Sequence, residues 1–214
     1  MQKILSYQYL GKTYQVILTH KSMRQKNIHF RLKDDIFYIS APYTVSNRYI
    51  MKVLEEKYGP LLIQKEKPKP EGDNFIYLFG QKCDYPEQGR FSFSDGSVIE
   101  YKTKEEFVKK MRKVFLKMLT EKVRYYEKIM GLPAHNVKVR NMSSRYGSNS
   151  KKTKSVTFAL NLYHYSFAII DAIIVHELAH SFYFDHSDNF YRVVYKYCPD
   201  YKNLHNKLRK GEYQ

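Results

Sequence analysis

The sequence predicts an α+β fold, with a β-rich N-terminal region followed by a helix-dominated region. Three observations carry this. Short, partly alternating apolar runs separated by turn residues fill residues 4–40. A long amphipathic pattern with start and stop signals runs from Thr103 to Gly131. The most apolar stretch, Phe167 to Phe184, contains His176-Glu177-Leu178-Ala179-His180. The boundary is expected at 102/103, with 1–102 β-rich and carrying one helix, and 103–214 the metal-binding catalytic region.

The elements follow from local chemistry. Ile4–Leu10, Thr13–Leu18, Ile28–Leu32 and Ile36–Ser40 read as strands, with turns at Gly11-Lys12 and Lys33-Asp34-Asp35. Ala41-Pro42 ends the last of them. A helix starts near Thr44–Ser46, carries Ile50, Val53 and Leu54 on one face, and is expected to stop at Gly59-Pro60. Lys65–Asn74, rich in proline, lysine and glycine, reads as a link. Phe75–Phe79 and Ser97–Tyr101 are further strands, expected to extend the first sheet. Thr103-Lys104-Glu105-Glu106 is a capping box opening the longest helix. Phe107, Met111, Val114, Phe115, Met118, Leu119 and Val123 form its apolar stripe, and Gly131 and Pro133 close it. Lys109, Lys110, Lys113, Lys117 and Arg124 read as its solvated face. Val137–Arg140 and Val156–Leu160 are strands, and the polar segment Asn141–Lys154 between them reads as a loop. A strand such as Val156–Leu160, just before the next helix, could lie beside a cleft and pair with an extended peptide.

Two histidines four apart on a helix project about 40° from each other, so His176 and His180 can share one metal ion. Glu177 flanks the same face, where it can take a proton from water acidified by the metal. Ile169, Ile170, Ile173, Ile174 and Val175 precede the motif, so the helix is expected to be buried, and buried imidazoles need partners. Asp171 projects to the opposite side. A catalytic zinc takes three protein ligands and keeps one open position. After His180 the candidates are His186 and, more weakly, Asp185 and Asp188. On an unbroken helix His186 would project about 240° away, so the helix must end near Phe182–Asp185. Ser187-Asp188-Asn189 then starts the next one near Asp188. His176, His180 and His186 have the ligand spacing of the metzincins. Tyr183 stands where those enzymes have glycine, so the chain is not expected to be a true metzincin.

Composition adds less. The net charge of +16 permits contact with nucleic acid, but 21 tyrosines, many lysines and no tryptophan read as compositional bias. No N-terminal signal pattern and no apolar run of membrane-spanning length is visible, so a cytoplasmic protein without membrane partners is expected. Cys83 and Cys198 lack metal-type spacing and read as packing residues. His20, His29, His135, His164 and His205 have no ligand spacing either. Oligomeric state leaves no trace in the sequence.

Four pieces resemble the YgjP/WLM-like family of intracellular metallopeptidase-fold proteins. They are Tyr38-Ile39-Ser40-Ala41-Pro42, Ser144-Arg145-Tyr146-Gly147-Ser148, Leu160-Asn161, and the His176–His180 motif with His186-Ser187 and Phe190. The second is similar to the family's Arg-Trp-Gly-Ser signature, with Tyr146 for tryptophan. The resemblance implies a minimal zincin-like core behind a β-rich N-terminal region. It supports His186 as third ligand and makes the polar segment at Arg145 part of the site wall. Arg145 is the first candidate to stabilise the oxyanion, with Tyr163, Tyr165 and Tyr183 behind it, and Asp185 and Asp188 are weaker candidates to orient a ligand imidazole.

The expectation is a zinc-dependent hydrolase, most simply a peptidase acting on peptide or protein, with other divalent metals able to replace zinc. One alternative is a metal-dependent nucleotide pyrophosphatase or phosphohydrolase. The charge favours it, and the absence of a phosphate-cradling glycine loop weighs against it. The other is a nucleic-acid-associated protein with a metal site.

Overall fold

Period-two burial builds the N-terminal sheet. The computed structural model describes residues 2–21, 26–64, 67–85, 88–93 and 98–214. Strands β1 (Gln2–Tyr9), β2 (Lys12–Lys21), β3 (His29–Lys33) and β4 (Ile36–Pro42) form one sheet in the order β1-β2-β4-β3. β1 and β2 are an antiparallel hairpin, β4 runs parallel to β2, and β3 pairs antiparallel with β4. Tyr14, Val16 and Leu18 of β2 and Phe37, Ile39 and Ala41 of β4 are buried. Val16 faces Phe37 and Leu18 faces Ile39 across the ladder, and Ile50 and Leu54 complete this core.

Ser46 Oγ accepts from Tyr49 N–H at 3.3 Å and caps α1 (Asn47–Val53). The expected stop at Gly59-Pro60 is not observed. A π turn, Leu54–Tyr58, leads directly into α2 (Gly59–Gln64), with Gly59 N–H bonded to Leu54 O. The widened turn lets the helical path pass Pro60, which has no N–H for an ordinary α ladder.

The chain divides into two compact units, Met1–Lys67 and Pro68–Gln214. This break does not coincide with the boundary expected at 102/103. The reason lies in two hairpins, β5 (Phe75–Leu78) with β6 (Gln81–Asp84), and β7 (Gly89–Ser92) with β8 (Val98–Tyr101). They do not extend the N-terminal sheet. Their Ile76, Leu78, Ile99 and Tyr101 are buried in the same core as the long helix α3 (Lys104–Met130). Ser97, expected to open the last of these strands, and Lys65 and Glu66 of the expected link lie outside the described residues.

Thr103 Oγ1 accepts from Glu106 N–H at 3.2 Å, and α3 ends on Gly131 in the left-handed region at φ 69°. Phe107, Met111, Phe115, Leu119 and Val123 are fully buried along it. Its charged face is not wholly solvated, because Arg124 bonds Glu127 and the His135 carbonyl, and Lys122 pairs with Asp171 at 2.9 Å. After α3 come β9 (Asn136–Arg140), β10 (Gly147–Ser150), β11 (Ser155–Ala159), a 3-10 turn (Leu160–His164), α4 (Phe167–Ala179), α5 (Asp188–Tyr197) and α6 (Tyr201–Lys210). β11 is the middle strand, parallel to β9 and antiparallel to β10. Among the described residues no helix is long and apolar enough to cross a membrane.

His164 is buried, and its Nδ1 donates to Tyr77 O at 2.8 Å. Burial pushes its pKa from 6.5 down to about 4. Below pH 6.5 the unfolded chain therefore binds the proton while the folded chain does not. Stability from this group is complete above that pH and is lost as pH falls towards about 4, a span worth about 3 kcal/mol. Urea unfolding at pH 7 and at pH 4.5 should show a smaller acid loss for His164→Gln than for the wild type. Equal losses would remove His164 as the cause.

Candidate metal centre

Helix α4 is apolar on nearly every side, with Ile169, Ile170, Ile173, Ile174 and Val175 buried. Such a helix has to be sheathed, and α3, α5, α6 and β10 pack against it. Its last turn carries His176 and Glu177, and His180 is its C-cap residue. The chain then reverses without glycine. Ser181 N–H bonds Leu178 O at 2.9 Å, and the Phe182 and Tyr183 N–H groups bond Ala179 O at 3.0 and 3.1 Å. Tyr183 is not among the described residues of positive φ, so a side chain fits this turn without strain.

The reversal brings His186 back to the helix. His176, His180 and His186 each present a nitrogen within 4.8 Å of the others. His186 Nε2 lies 3.4 Å from His176 Nε2. Asp185 and Asp188 are outside this cluster and do not orient its rings. Asp185 Oδ1 accepts from Ser187 Oγ at 3.0 Å, and Asp188 opens α5. The orienting groups are a tyrosine and a carbonyl. His176 Nδ1 is 2.8 Å from Tyr201 Oη, and His180 Nδ1 is 3.1 Å from Tyr183 O. A carbonyl only accepts, so His180 holds its proton on Nδ1 and leaves Nε2 for a metal. Fully buried Phe190 lies beneath all three rings, at centroid distances of 5.0, 4.6 and 4.9 Å.

The electrostatics suit a cation. Burial, aided by the neighbouring imidazoles, pushes His176 down to about 3, and burial also lowers His180. Both rings are therefore neutral near pH 7, which is the ligating form. Glu177 is buried beside them, and burial pushes its carboxyl up to about 8 against the opposing pull of Arg145. Gly147 makes room for it. A Cβ at this position would stand 2.6 Å from Glu177 Cγ and 2.7 Å from its Cδ.

These groups line an open cleft of about 460 Å³, which also includes Arg145, Asn149, Tyr201 and His205. Arg145 is exposed on the cleft wall. Tyr163 and Tyr165 are buried in the core, where Tyr165 Oη is 3.2 Å from Tyr146 Oη, and neither lines the cleft. Tyr183 contributes its carbonyl. Tyr201, Asn149 and His205 were not legible in the sequence as site residues, since no spacing ties them to the motif. The strand next to the cleft is also not the expected one. β11 has neighbours on both sides, whereas β10 pairs with β11 alone among the described residues and packs on α4.

Among curated proteins none matches the chain. Solved structures similar to part of it include two metallopeptidase zymogens. One is the metallopeptidase zymogen abylysin of Pyrococcus abyssi, at 22% identity and a TM-score of 0.40, covering 42% of this chain and 90% of that one. The other is the metallopeptidase zymogen jannalysin of Methanocaldococcus jannaschii, at 19% identity and a TM-score of 0.39, covering 42% of this chain and 92% of that one. Residues 95–211 match the family profile of the YgjP-like metallopeptidase domain, a span of more than half of the 214 residues that holds all three clustered histidines and Glu177. The chain belongs to the YgjP-like metallopeptidase-domain family.

Proposed function

We propose that this chain is a zinc-dependent peptidase of the cytoplasm, with His176, His180 and His186 as metal ligands and Glu177 as general base. The observation that carries this reading is the convergence of three imidazoles beside one buried carboxyl in an open cleft. The all-imidazole donor set fits zinc, and other imidazole-binding divalent ions would compete for it. A divalent ion held there supplies Lewis acidity, which acidifies water and polarises a carbonyl. The Tyr183 carbonyl keeps His180 in its ligating tautomer, and Tyr201 Oη orients the His176 ring. Glu177 takes the proton from the attacking water and passes it to the leaving amine. Arg145, exposed on the wall, donates to the developing oxyanion. The edge strand β10 aligns an extended peptide by adding it to the sheet.

The test is digestion of an unfolded protein by the zinc-loaded chain, read by mass spectrometry. Fragments that disappear on adding a chelator are expected. No fragments, together with hydrolysis of nucleoside triphosphates, would replace the peptidase with a phosphohydrolase. Salt-sensitive nucleic-acid binding without either activity would favour a binding role. For the ligand set, His186→Ala should weaken zinc binding by at least about a hundredfold in competition with a chelator. Unchanged affinity would place the third ligand elsewhere.

A further inference from the structure

The Glu177 carbonyl is among the last four of α4 and has no intrahelical partner, because Ser181 N–H turns to Leu178 O instead. Asn149 of β10 supplies the donor. Its Nδ2 lies 2.7 Å from Glu177 O and 3.1 Å from Ser181 Oγ. Ser181 Oγ lies 3.1 Å from His135 Nε2, and His135 Nδ1 lies 2.9 Å from Glu127 Oε1. Glu127 also accepts from the His135 backbone N–H at 2.6 Å and is paired with Arg124. Glu127 and His135 are 3% and 7% exposed.

With a neutral imidazole at His135, one set of donor directions satisfies this row. The Glu127 carboxylate only accepts, so His135 carries its proton on Nδ1 and accepts at Nε2. Ser181 must then donate to His135, which leaves its oxygen to accept from Asn149. Carboxylate, imidazole and hydroxyl stand in the order of a nucleophilic triad. Here, however, the Ser181 oxygen already accepts the Asn149 amide, and the row ends on the backbone of Glu177. That is the arrangement of a scaffold. Gly147 and Asn149, two apart on β10, both meet α4 at Glu177: one gives its side chain room, the other holds its carbonyl.

We propose that Asn149 is a positioning residue for the hydrolytic reaction, held by Ser181, His135 and Glu127. It fixes β10 to the end of α4 and so sets where the Glu177 carboxyl and the turn to His186 lie. This rests on the reading of Glu177 and the three histidines as the reactive centre.

Asn149→Asp keeps the size of the side chain, loses both donated hydrogen bonds and sets a carboxylate against a carbonyl. In the zinc-loaded full chain, kcat should fall about tenfold to a hundredfold with KM nearly unchanged. In the metal-free full chain, backbone hydrogen exchange over residues 178–184 should speed up about tenfold while α3 keeps its rates. Should Asn149→Asp fail to fold, Ser181 offers a second pair. Ser181→Ala should show the same two effects, and Ser181→Thr, which keeps the hydroxyl, should recover most of the loss. Unchanged exchange, or a rise in KM alone, would overturn the proposal. Because exchange needs neither metal nor substrate, it still reads the clamp if no peptide is cleaved, so the two readings fail separately.

Discussion

Glu177→Gln is expected to lower kcat by about a thousandfold or more while the protein keeps its zinc. The size follows from the role. In the role proposed for Glu177, a general base acting on the attacking water is worth about a hundredfold to ten-thousandfold, and this carboxyl lines the cleft beside the three imidazoles. Glutamine has nearly the same shape and cannot take the proton. Retention of the metal follows from the cluster itself, which consists of His176, His180 and His186 without Glu177. The measurement is the rate of peptide cleavage beside the zinc content of the same sample. A variant that retains zinc and cleaves at more than a tenth of the wild-type rate would remove Glu177 as the base. A variant that loses its zinc would make Glu177 part of the ligand set instead.

The histidine cluster was legible because its geometry is mostly local. Four residues of helix fix His176 against His180, and His186 can join them only if the helix ends and the chain turns back, a reading that the family resemblance supported. The first sheet and α3 were legible for a similar reason: alternation and an uninterrupted apolar stripe report burial directly. What failed depended on distant contacts. Gly147-Ser148-Asn149-Ser150 has no apolar residue and no strand propensity, so it reads as a loop. It is a strand because β11 pairs with it and because Gly147 and Asn149 meet α4. Phe75–Leu78 and Val98–Tyr101 carry strand signals, whereas their partners Gln81–Asp84 and Gly89–Ser92 were not read as strands, and nothing local says which core the two hairpins join. Gly59-Pro60 reads as a stop, and only a π turn carries the helix past it. Tyr201 reaches His176 from α6, at a separation of 25 residues that no motif encodes. Polar residues whose partners lie far away in the chain leave no periodic trace.

The same contrast makes Gly147 the position where the smallest change should have a large effect. Gly147→Ala is expected to lower kcat by about a hundredfold, with zinc still bound. The added methyl would lie 2.6 Å from Glu177 Cγ and 2.7 Å from its Cδ, far inside van der Waals contact. Glu177 is buried, so the carboxyl cannot simply swing into solvent, and β10 is held by Asn149 against the helix that bears it. Either the carboxyl or the strand must shift, and overpacking of this kind costs about 1–3 kcal/mol of stability. The imidazoles are reached from other directions, by Tyr201, the Tyr183 carbonyl and Phe190, so the metal should remain. A double variant separates the causes. If the methyl acts by displacing Glu177, adding Gly147→Ala to Glu177→Gln should change the residual rate by less than about threefold, because the base is already gone. A further hundredfold loss in the double variant would mean that Gly147 serves the substrate directly, through the backbone of the edge strand rather than through the glutamate beside it.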